Sequence, residues 1–398
     1  MNENVIEGFR FAAVAAGVKK AGTERLDLGL IAADCPAVAA GVTTTNLVAA
    51  APVQITRSRL AGGLCQAVLV NSGNANAYTG EKGKQDALVL TRQTAECMGI
   101  DQDLVVPMST GVIGNPMPMD RIRPRIPELV GKLSPGGFPD VAQAIMTTDT
   151  RPKTVFVEGH CSHGSMKMAG MAKGAGMIAP SMATMLAVIL TDIRVETAFL
   201  KKCLVEASAR TFNCITIDGD TSTNDTLIVL AGGRPEARTL GDSPSDREAF
   251  ASMLNEACMT LARAIVMDGE GATKLVEVVV TGAPSEEAAR IVARKIAESP
   301  LVKTAFHGED PNWGRIICAA GRAGVPFDPE RVDLCIGDVP IVKHGILVQE
   351  DWETPAHRAM KAGEFSVLLD LKTGNGEARF LTSDMSEEYV SINADYRS

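Results

Sequence analysis

Short apolar runs alternate along the chain with segments whose apolar residues recur every three or four positions. The short runs are β-branched or aliphatic and are bounded by Gly, Asn or Asp, as strands are. They are LDLGLIAAD, AVLVNSG, TVFVEGH, MLAVILTD and TLIVLAGG, and a further strand is predicted near the amino terminus. The periodic segments predict amphipathic helices, namely KGKQDALVLTRQTAECMG, VETAFLKKCLVEASARTF and DREAFASMLNEACMTLARAIV. This alternation predicts an α/β fold.

Near residue 280 the pattern starts again, which predicts a second, smaller α/β domain. KLVEVVVTGA is a strand, and PSEEAARIVARKIAES has the proline start and early acidic residues of a helix. Further strands are predicted at LVKTAFHG, FSVLLDLKTG, EARFLTSD and EEYVSINADY. The expected domains are therefore residues 1–279 and 280–398.

Composition narrows the class of protein. The 398 residues are 45% hydrophobic, enough for a large buried core, and carry a net charge of −9 with only 4% aromatic residues. Without a basic block or aromatic residues for base stacking, nucleic acid is not an expected partner. Nine scattered cysteines without a CxxC pair indicate reduced, buried thiols and a cytoplasmic location.

Three common kinds of site are not expected. Residues 174–191 are uncharged, but their Gly, Pro, Ser and Thr content argues against a membrane span. GAGMIA at 174–179 matches a dinucleotide-binding pattern, yet Pro180 and a strand-like run follow where a helix is needed. His160, Cys161 and His163 are too few for a tetrahedral metal site, so no metal is predicted.

Four glycine-rich polar loops are the strongest sign of a site. They are NSGNANAYTG (71–80), STGVIG (109–114), IDGDTSTNDT (217–226) and MDGEGATK (267–274). Each alone is typical of a tight turn. Together they offer backbone N–H groups and hydroxyls that can surround a developing oxyanion.

Thr184 follows Ala183 at the start of a predicted strand. A threonine hydroxyl needs a base, and the five histidines lie outside the four loops. Cleavage of the Ala183–Thr184 bond would give Thr184 an α-amine with an ordinary pKa of about 7.7–8.0, suited to activate its own hydroxyl. The alternative is a structural threonine chosen for its β propensity.

The run KGAGMIAPSMATMLAVILTD, with STGVIG, TTDTRPK, GDTSTNDT, GEGATK, FHGEDPNWGRI and SINADYRS, resembles the ornithine acetyltransferase family, also called the glutamate N-acetyltransferase family. The resemblance spans nearly the whole chain, with the motifs in the expected order. It implies a layered αββα sandwich of the N-terminal-nucleophile type, with a smaller C-terminal α/β domain. It also implies self-cleavage between Ala183 and Thr184 into an α chain, 1–183, and a β chain, 184–398.

Site residues are implied by the same resemblance. Thr184 is the nucleophile, and Thr110 and Gly111 form the oxyanion hole. The implied substrate-binding residues are Thr147, Lys173, Thr184, Glu270, Asn393 and Ser398. Many relatives end in Thr, and Ser398 keeps the hydroxyl.

The implied reaction moves an acetyl group from N-acetyl-L-ornithine to L-glutamate through an acetyl-Thr184 ester, with no cofactor, in arginine biosynthesis. Members of the family differ in whether acetyl-CoA is also a donor, so it stays an additional candidate substrate. The expected assembly has two α and two β chains. Two alternatives stay open: a self-processing amidohydrolase or aminopeptidase that uses water as acceptor, and an uncleaved small-molecule binding protein.

Overall fold

The computed structural model describes residues 6–179 and 185–395. Within them, two β-sheets are covered by helices, and four short 3-10 turns connect elements. The strands are β1 Phe9–Val14, β2 Leu28–Thr43, β3 Leu64–Asn74, β4 Val105–Val112, β5 Lys153–Cys161, β6 Gly164–Lys173, β7 Leu186–Thr191, β8 Ile215–Thr216, β9 Thr226–Ala231, β10 Leu275–Ala283, β11 Asp333–Ile336, β12 Val339–Lys343, β13 Ile346–Leu347, β14 Glu364–Asp370 and β15 Gly376–Ser383. The helices are α1 Ala51–Leu60, α2 Gly80–Met98, α3 Met119–Ile122, α4 Ile126–Gly131, α5 Phe138–Ala144, α6 Thr197–Arg210, α7 Pro244–Met267, α8 Glu286–Ala297, α9 Pro300–His307, α10 Trp313–Gly321, α11 Glu353–Met360 and α12 Glu387–Asp395.

The first sheet runs in the order β4-β3-β2-β9-β7-β6-β5, with β1 paired to β2. The long strand β2 contributes to two layers: its first half pairs with β1, and its second half pairs with β9 after a register shift between Ala32 and Ala37. Alternate residues of each strand point to opposite faces, so each layer can bury two apolar faces. Val188 of β7 packs in the cluster with Phe11 of β1, whereas its neighbour Ile189 packs in the cluster with helix α7.

Three apolar clusters therefore alternate with four layers. One cluster lies between α6/α7 and the β5–β7/β9 layer, the second between the two β layers, and the third between the β1–β4 layer and α2 to α4. This is the predicted layered αββα sandwich, and the prediction is confirmed. The layers follow from strands whose residues are apolar on both faces.

The second sheet has the order β13-β12-β11-β14-β10-β15-β8. Helices α8 to α11 contribute side chains to the apolar cluster on this sheet, among them Val292, Phe306 and Met360. Strand β8 comes from residues 215–216 and pairs in parallel with β15. The division at residue 279/280 stays a prediction, since the sheets do not by themselves define domain limits.

Two predicted strands are wrong. LVKTAFHG forms α9, with Pro300 in its first turn and Val302, Ala305 and Phe306 buried at helical spacing. EEYVSINADY forms α12 up to Asp395, and the N–H of Tyr389 donates to Ser386 Oγ at its start. In both segments β-branched and aromatic residues suggested strands, but a helix start signal, Pro300 or Ser386 with two following glutamates, outweighs that preference.

Two smaller expectations can be compared with the structure. All nine cysteines are free, but only four of them are buried, three are half-buried, and Cys97 and Cys318 are exposed. None of the helices in residues 6–179 and 185–395 is both long enough and apolar enough to cross a membrane.

Candidate active site

The four glycine-rich loops converge on one pocket. A cavity of about 80 Å³ lies where β3, β4 and β6 end and where the segments before β9 and after α7 approach them. Its lining residues are Ala75, Thr110, Gly111, Ile113, Thr147, Thr148, Lys173, Gly176, Met177, Ser222, Thr223, Asn224, Glu270 and Asn393. No histidine lines this pocket in the described chain, so an imidazole base is not available from its walls.

Thr110 and Gly111 lie at the end of β4, paired with Ser72 and Gly73 of the parallel strand β3. Gly111 has φ 131°, which favours glycine, and a Cβ there would collide with the backbone of Gly73. The close approach of the two strands therefore requires glycine at position 111. Thr110 is buried, and its Oγ1 accepts a hydrogen bond of 3.3 Å from Lys173 Nζ.

Lys173 lies at the end of β6 and is buried. Burial lowers the pKa of Lys173, and the neighbouring carboxylate of Asp149 only partly offsets this effect. Burial also opposes ionisation of Asp149, but the charges of Lys173 and Lys153 outweigh it and lower the pKa of Asp149 to about 2. A buried, ionised carboxylate, that of Asp149, therefore lies behind the pocket wall between Lys173 and Lys153.

Asp149 also fixes the backbone around the pocket. Its Oδ1 accepts from Lys153 Nζ at 2.6 Å and from the N–H of Gly174 at 2.7 Å, while Oδ2 accepts from the N–H of Thr147 at 3.0 Å. Lys153 makes a second buried ion pair with Asp268 at 2.5 Å. In the sequence Asp149 looks like an ordinary turn residue, and only its burial in the structure identifies it.

Asn224 has a similar joining role. Its Nδ2 donates to the carbonyl of Ala75 at 2.7 Å and to that of Ser109 at 2.8 Å. These bonds tie the loop before β9 to the ends of β3 and β4. In the sequence Asn224 looks like an ordinary turn or packing residue of a glycine-rich loop, and only the structure shows which carbonyls it binds.

Glu270 enters the pocket from the loop after α7. Its N–H donates to the carbonyl of Ala175 at 2.8 Å, and its Oε2 accepts from Asn393 Nδ2 at 2.9 Å. Gly176 packs against this carboxylate, because a Cβ on Gly176 would fall on it. Helix α12 thus brings Asn393 into contact with Glu270 at the pocket.

Asp225 directly precedes β9 and lies beside the start of β7. It is completely buried, and its Oδ1 accepts a hydrogen bond of 3.0 Å from the N–H of Met185. Burial raises the pKa of Asp225 well above its usual range, although the Met185 bond acts in the opposite direction. Leu186, the next residue, pairs with Lys173 in the β6–β7 register, so the described chain resumes after residue 184 beside the pocket.

The structure brings six of the predicted site residues to this one pocket. They are Thr110, Gly111, Thr147, Lys173, Glu270 and Asn393. Ala183, Thr184 and Ser398 lie outside the described residues. The chemical roles of all nine residues stay predictions.

The structure also shows where the histidines and the GAGMIA segment considered for other kinds of site lie. His160 and His163 are exposed at the β5–β6 hairpin. In the ranges 6–179 and 185–395, no three His, Cys, Asp or Glu side chains form a group that could hold a metal ion. Gly176 packs on Glu270, so the GAGMIA segment contributes to the pocket wall.

Comparison with known proteins gives one consistent result. The profile of the ArgJ family matches residues 10–398. The arginine biosynthesis bifunctional protein ArgJ of Geobacter sulfurreducens is 48% identical over 393 residues, which cover 99% of this chain and 100% of that protein. The protein of the same name from Thermosynechococcus vestitus is 44% identical, with 98% of this chain and 96% of that protein covered.

Solved structures are also similar. A chain of the arginine biosynthesis bifunctional protein from Bacillus halodurans is 42% identical, covers 52% of this chain and 96% of its own length, and gives a TM-score of 0.49. A chain of the ornithine acetyltransferase from Mycobacterium tuberculosis, in complex with ornithine, is 39% identical over 44% of this chain and 93% of its own, with a TM-score of 0.41.

The family match and the curated relatives define an enzyme of the acyltransferase class, and the layered α/β fold with its polar pocket is in agreement with it. The chain belongs to the ArgJ family. It is therefore an acetyltransferase of arginine biosynthesis, and the resemblance stated from the sequence motifs is confirmed.

Proposed function

We propose that the chain cuts itself between Ala183 and Thr184 and that Thr184 then transfers an acetyl group from N-acetyl-L-ornithine to L-glutamate. The observation that carries the proposal is the convergence of Thr110, Gly111 and Lys173 on one pocket beside the point where the chain resumes at Met185. A hydroxyl and a strand-end N–H are suitable donors to an oxyanion.

Self-cleavage is proposed as attack of the Thr184 hydroxyl on the carbonyl of Ala183. The oxygen forms an ester with Ala183 as the peptide nitrogen leaves with a proton, and water then hydrolyses the ester. The products are a carboxylate on Ala183 and a free amine on Thr184. This amine has an ordinary pKa near neutrality, about 7.7–8.0, so it can take the proton of the hydroxyl in later turnovers.

The transfer reaction is proposed as two displacements. Thr184 attacks the acetyl carbonyl of N-acetylornithine, Thr110 and Gly111 stabilise the oxyanion, and ornithine leaves after the Thr184 amine returns the proton to its nitrogen. Glutamate then attacks the acetyl ester, and N-acetylglutamate leaves. The hydroxyl of Thr184 is restored, so atoms and charges balance over one cycle without a cofactor.

Glu270 and Lys173 suit the two substrates. The donor carries a side-chain amine and the acceptor a side-chain carboxylate, while both share an α-carboxylate and an α-nitrogen. A carboxylate held by Asn393 can pair with the amine, and a buried lysine can pair with a carboxylate. We assign Thr147, Asn393 and Ser398 to substrate binding in the same pocket.

We also propose a second reaction, in which the same acetyl ester is loaded from acetyl-CoA. It is supported by a second cavity, here called the basic cavity, which is lined by Lys19, Lys20 and Arg25 among others and shares Thr147 with the pocket. The enzyme is proposed to work in the cytoplasm as two α and two β chains, without nucleic-acid or membrane partners. Native mass spectrometry tests the assembly directly: a mass of two α and two β chains supports it, and a stable αβ pair contradicts it.

The experiment that tests the transfer is an assay of the purified protein with N-acetylornithine, with and without glutamate. N-Acetylglutamate and ornithine in equal amounts support the proposal. Release of acetate without N-acetylglutamate favours an amidohydrolase that uses water as acceptor. Binding of either substrate by an uncleaved chain with no turnover favours a binding protein.

A further inference from the structure

Two of the motifs found in the sequence meet behind the pocket. TTDTRPK contributes Asp149 and Lys153, and MDGEGATK contributes Asp268. Lys153 Nζ lies 2.6 Å from Asp149 Oδ1 and 2.5 Å from Asp268 Oδ2. The side chains of Lys153, Asp149 and Asp268 are 1%, 0% and 4% exposed, and none of the three lines the pocket. They form a buried group of charges, here called the ion triad.

Through Asp149, the ion triad holds two pocket residues that are predicted to bind substrate. Asp149 Oδ2 accepts from the N–H of Thr147 at 3.0 Å. Its Oδ1 accepts at 2.7 Å from the N–H of Gly174, the residue directly after Lys173. Lys153 itself begins β5 and pairs with the residue before Lys173. The backbone on both sides of Lys173 is therefore held by the ion triad.

Through Asp268, the ion triad holds the loop that carries Glu270. The N–H of Thr150 donates to Asp268 Oδ2 at 3.0 Å, and the Thr150 hydroxyl donates to Oδ1. Both carboxylate oxygens are thus bound to the segment 147–153, two residues before Glu270. Since the N–H of Glu270 also donates to the carbonyl of Ala175, this loop and the end of β6 are fixed to each other.

Lys153 also affects the charge of Lys173. Lys173 is buried, and the charged groups that face it include Asp149, Lys153, Asp225 and Glu270. Burial lowers the pKa of Lys173, Asp149 raises it, and the cation of Lys153 lowers it further. A change at Lys153 and a change at Asp149 should therefore alter the charge of Lys173 in opposite directions.

Stability alone does not explain three buried charges in this place. Replacing a buried ion pair by apolar residues of similar volume is often neutral or stabilising. The ion triad instead lies directly behind three pocket residues that are predicted to bind substrate, Thr147, Lys173 and Glu270. A buried polar network whose members are all bonded holds its surroundings in one arrangement, which is what substrate-binding groups require.

We propose that Lys153 is a positioning residue for the acetyl transfer and acts through its two carboxylate partners without touching a substrate. One partner fixes the pocket lysine and the other fixes the pocket glutamate, so Lys153 sets the separation of the two charges that bind the substrates. The proposal rests on the proposed function, because it needs Lys173 and Glu270 to bind those substrates.

The test uses Lys153→Met, which removes the charge and keeps a long side chain, and Asp149→Asn. Because an unpaired buried charge can prevent folding, a third variant combines Lys153→Met with Asp268→Asn and so removes one charge of each sign. The control is Lys201→Met, at an exposed position on α6. Thermal unfolding and denaturing electrophoresis select preparations that are folded and have the chain composition of the wild type.

In Lys153→Met and in the double variant, we expect KM for N-acetylornithine and for glutamate to rise about tenfold or more, while kcat changes less than about threefold. Displaced binding groups weaken the contacts to substrate and transition state alike. The control should match the wild type. Unchanged KM values for both substrates in a folded Lys153 variant would overturn the proposal.

The alkaline limb of kcat/KM against pH gives a readout that a purely structural role would not move. A neutral pocket lysine no longer pairs with a carboxylate, and the ionisation of the substrates is the same in every assay. We expect the limb to move to higher pH in both variants with Lys153→Met and to lower pH in Asp149→Asn. Movement in the same direction in all of them, or no movement, would overturn the proposal.

The wild type separates this proposal from the one on which it rests. If the wild type transfers acetyl from N-acetylornithine to glutamate and the folded variants behave as it does, only the role of Lys153 is wrong. If the wild type makes no N-acetylglutamate, the proposed function itself is contradicted.

Discussion

The N–H of Met185 is hydrogen-bonded to Asp225 Oδ1 at 3.0 Å, and both residues are buried. This bond fixes the first described residue after the proposed cleavage site to the loop that also carries Asn224. In turn, Asn224 is bonded to the carbonyl of Ser109, the residue before Thr110. The segment that follows the proposed nucleophile and the proposed oxyanion hole are therefore positioned by neighbouring residues of one loop.

Asp225→Ala should slow self-cleavage by about tenfold or more, because a buried N–H without an acceptor costs about 1–3 kcal/mol. Asp225→Asn keeps an acceptor oxygen and should cleave nearly as fast as wild type. The measurement is the fraction of full-length chain over time by denaturing electrophoresis. Equal cleavage rates in wild type and the alanine variant would show that this bond does not position the cleavage site.

Thr110→Val should lower kcat about 10²- to 10³-fold, the usual effect of removing one oxyanion donor. Valine keeps the shape of the side chain and the strand preference of β4. KM should change little, since the contact is strongest in the transition state. Steady-state kinetics on fully cleaved protein checks this, with thermal unfolding as the control for folding; a variant with wild-type kcat removes Thr110 from the oxyanion hole.

Gly176→Ala should reduce kcat/KM with N-acetylornithine by about tenfold or more. The added methyl group would fall on the Glu270 carboxylate and displace it from Asn393, so the proposed partner of the donor amine moves. Because a side-chain end can shift easily, unfolding temperature should fall little. Gly136→Ala is the control, as a Cβ there meets nothing within 4 Å; an equal loss of activity in both variants would contradict the placement of Glu270.

A buried lysine predicts a pH dependence of stability. Burial lowers the pKa of Lys303 from 10.5 to about 7. Between these values the unfolded chain binds more protons at this residue than the folded chain, so its contribution to the free energy of unfolding rises with pH. Lys303→Met should remove about 1 kcal/mol per pH unit of this slope between pH 7.5 and 9.5.

Urea unfolding in a Thr184→Ala background, which is expected to stay one chain, measures that slope. Lys201→Met, at an exposed position, should retain the slope of its parent. If Lys303→Met has the same slope as its parent, Lys303 stays charged in the folded protein throughout this pH range, which would contradict the lowered pKa.

Much of the architecture could be predicted from the sequence, because its strands are apolar runs and its long helices are strongly periodic. LVKTAFHG and EEYVSINADY were predicted wrongly, because β-branched and aromatic residues in short segments suit strands and helices alike. Both segments form helices because each begins with a helix start signal and packs against the rest of the fold as a helix.

The site could be predicted in part, and only by its motifs. Thr110, Lys173 and Glu270 lie within motifs that the resemblance identified. Asp149 and Asp225 look like ordinary turn residues in sequence, since only folding shows that they are buried. The basic cavity was missed for a similar reason: Lys20 and Thr147 are far apart along the chain, and the fold brings them together.

The central claim is that Thr184 becomes a chain terminus. Amino-terminal sequencing of active enzyme tests it most directly, with Thr184→Ala as the control. The account predicts two sequences from the active enzyme, one of them beginning Thr-Met-Leu-Ala at residue 184, and a single full-length, inactive chain from the variant. An active enzyme with no chain that starts at Thr184 would contradict it.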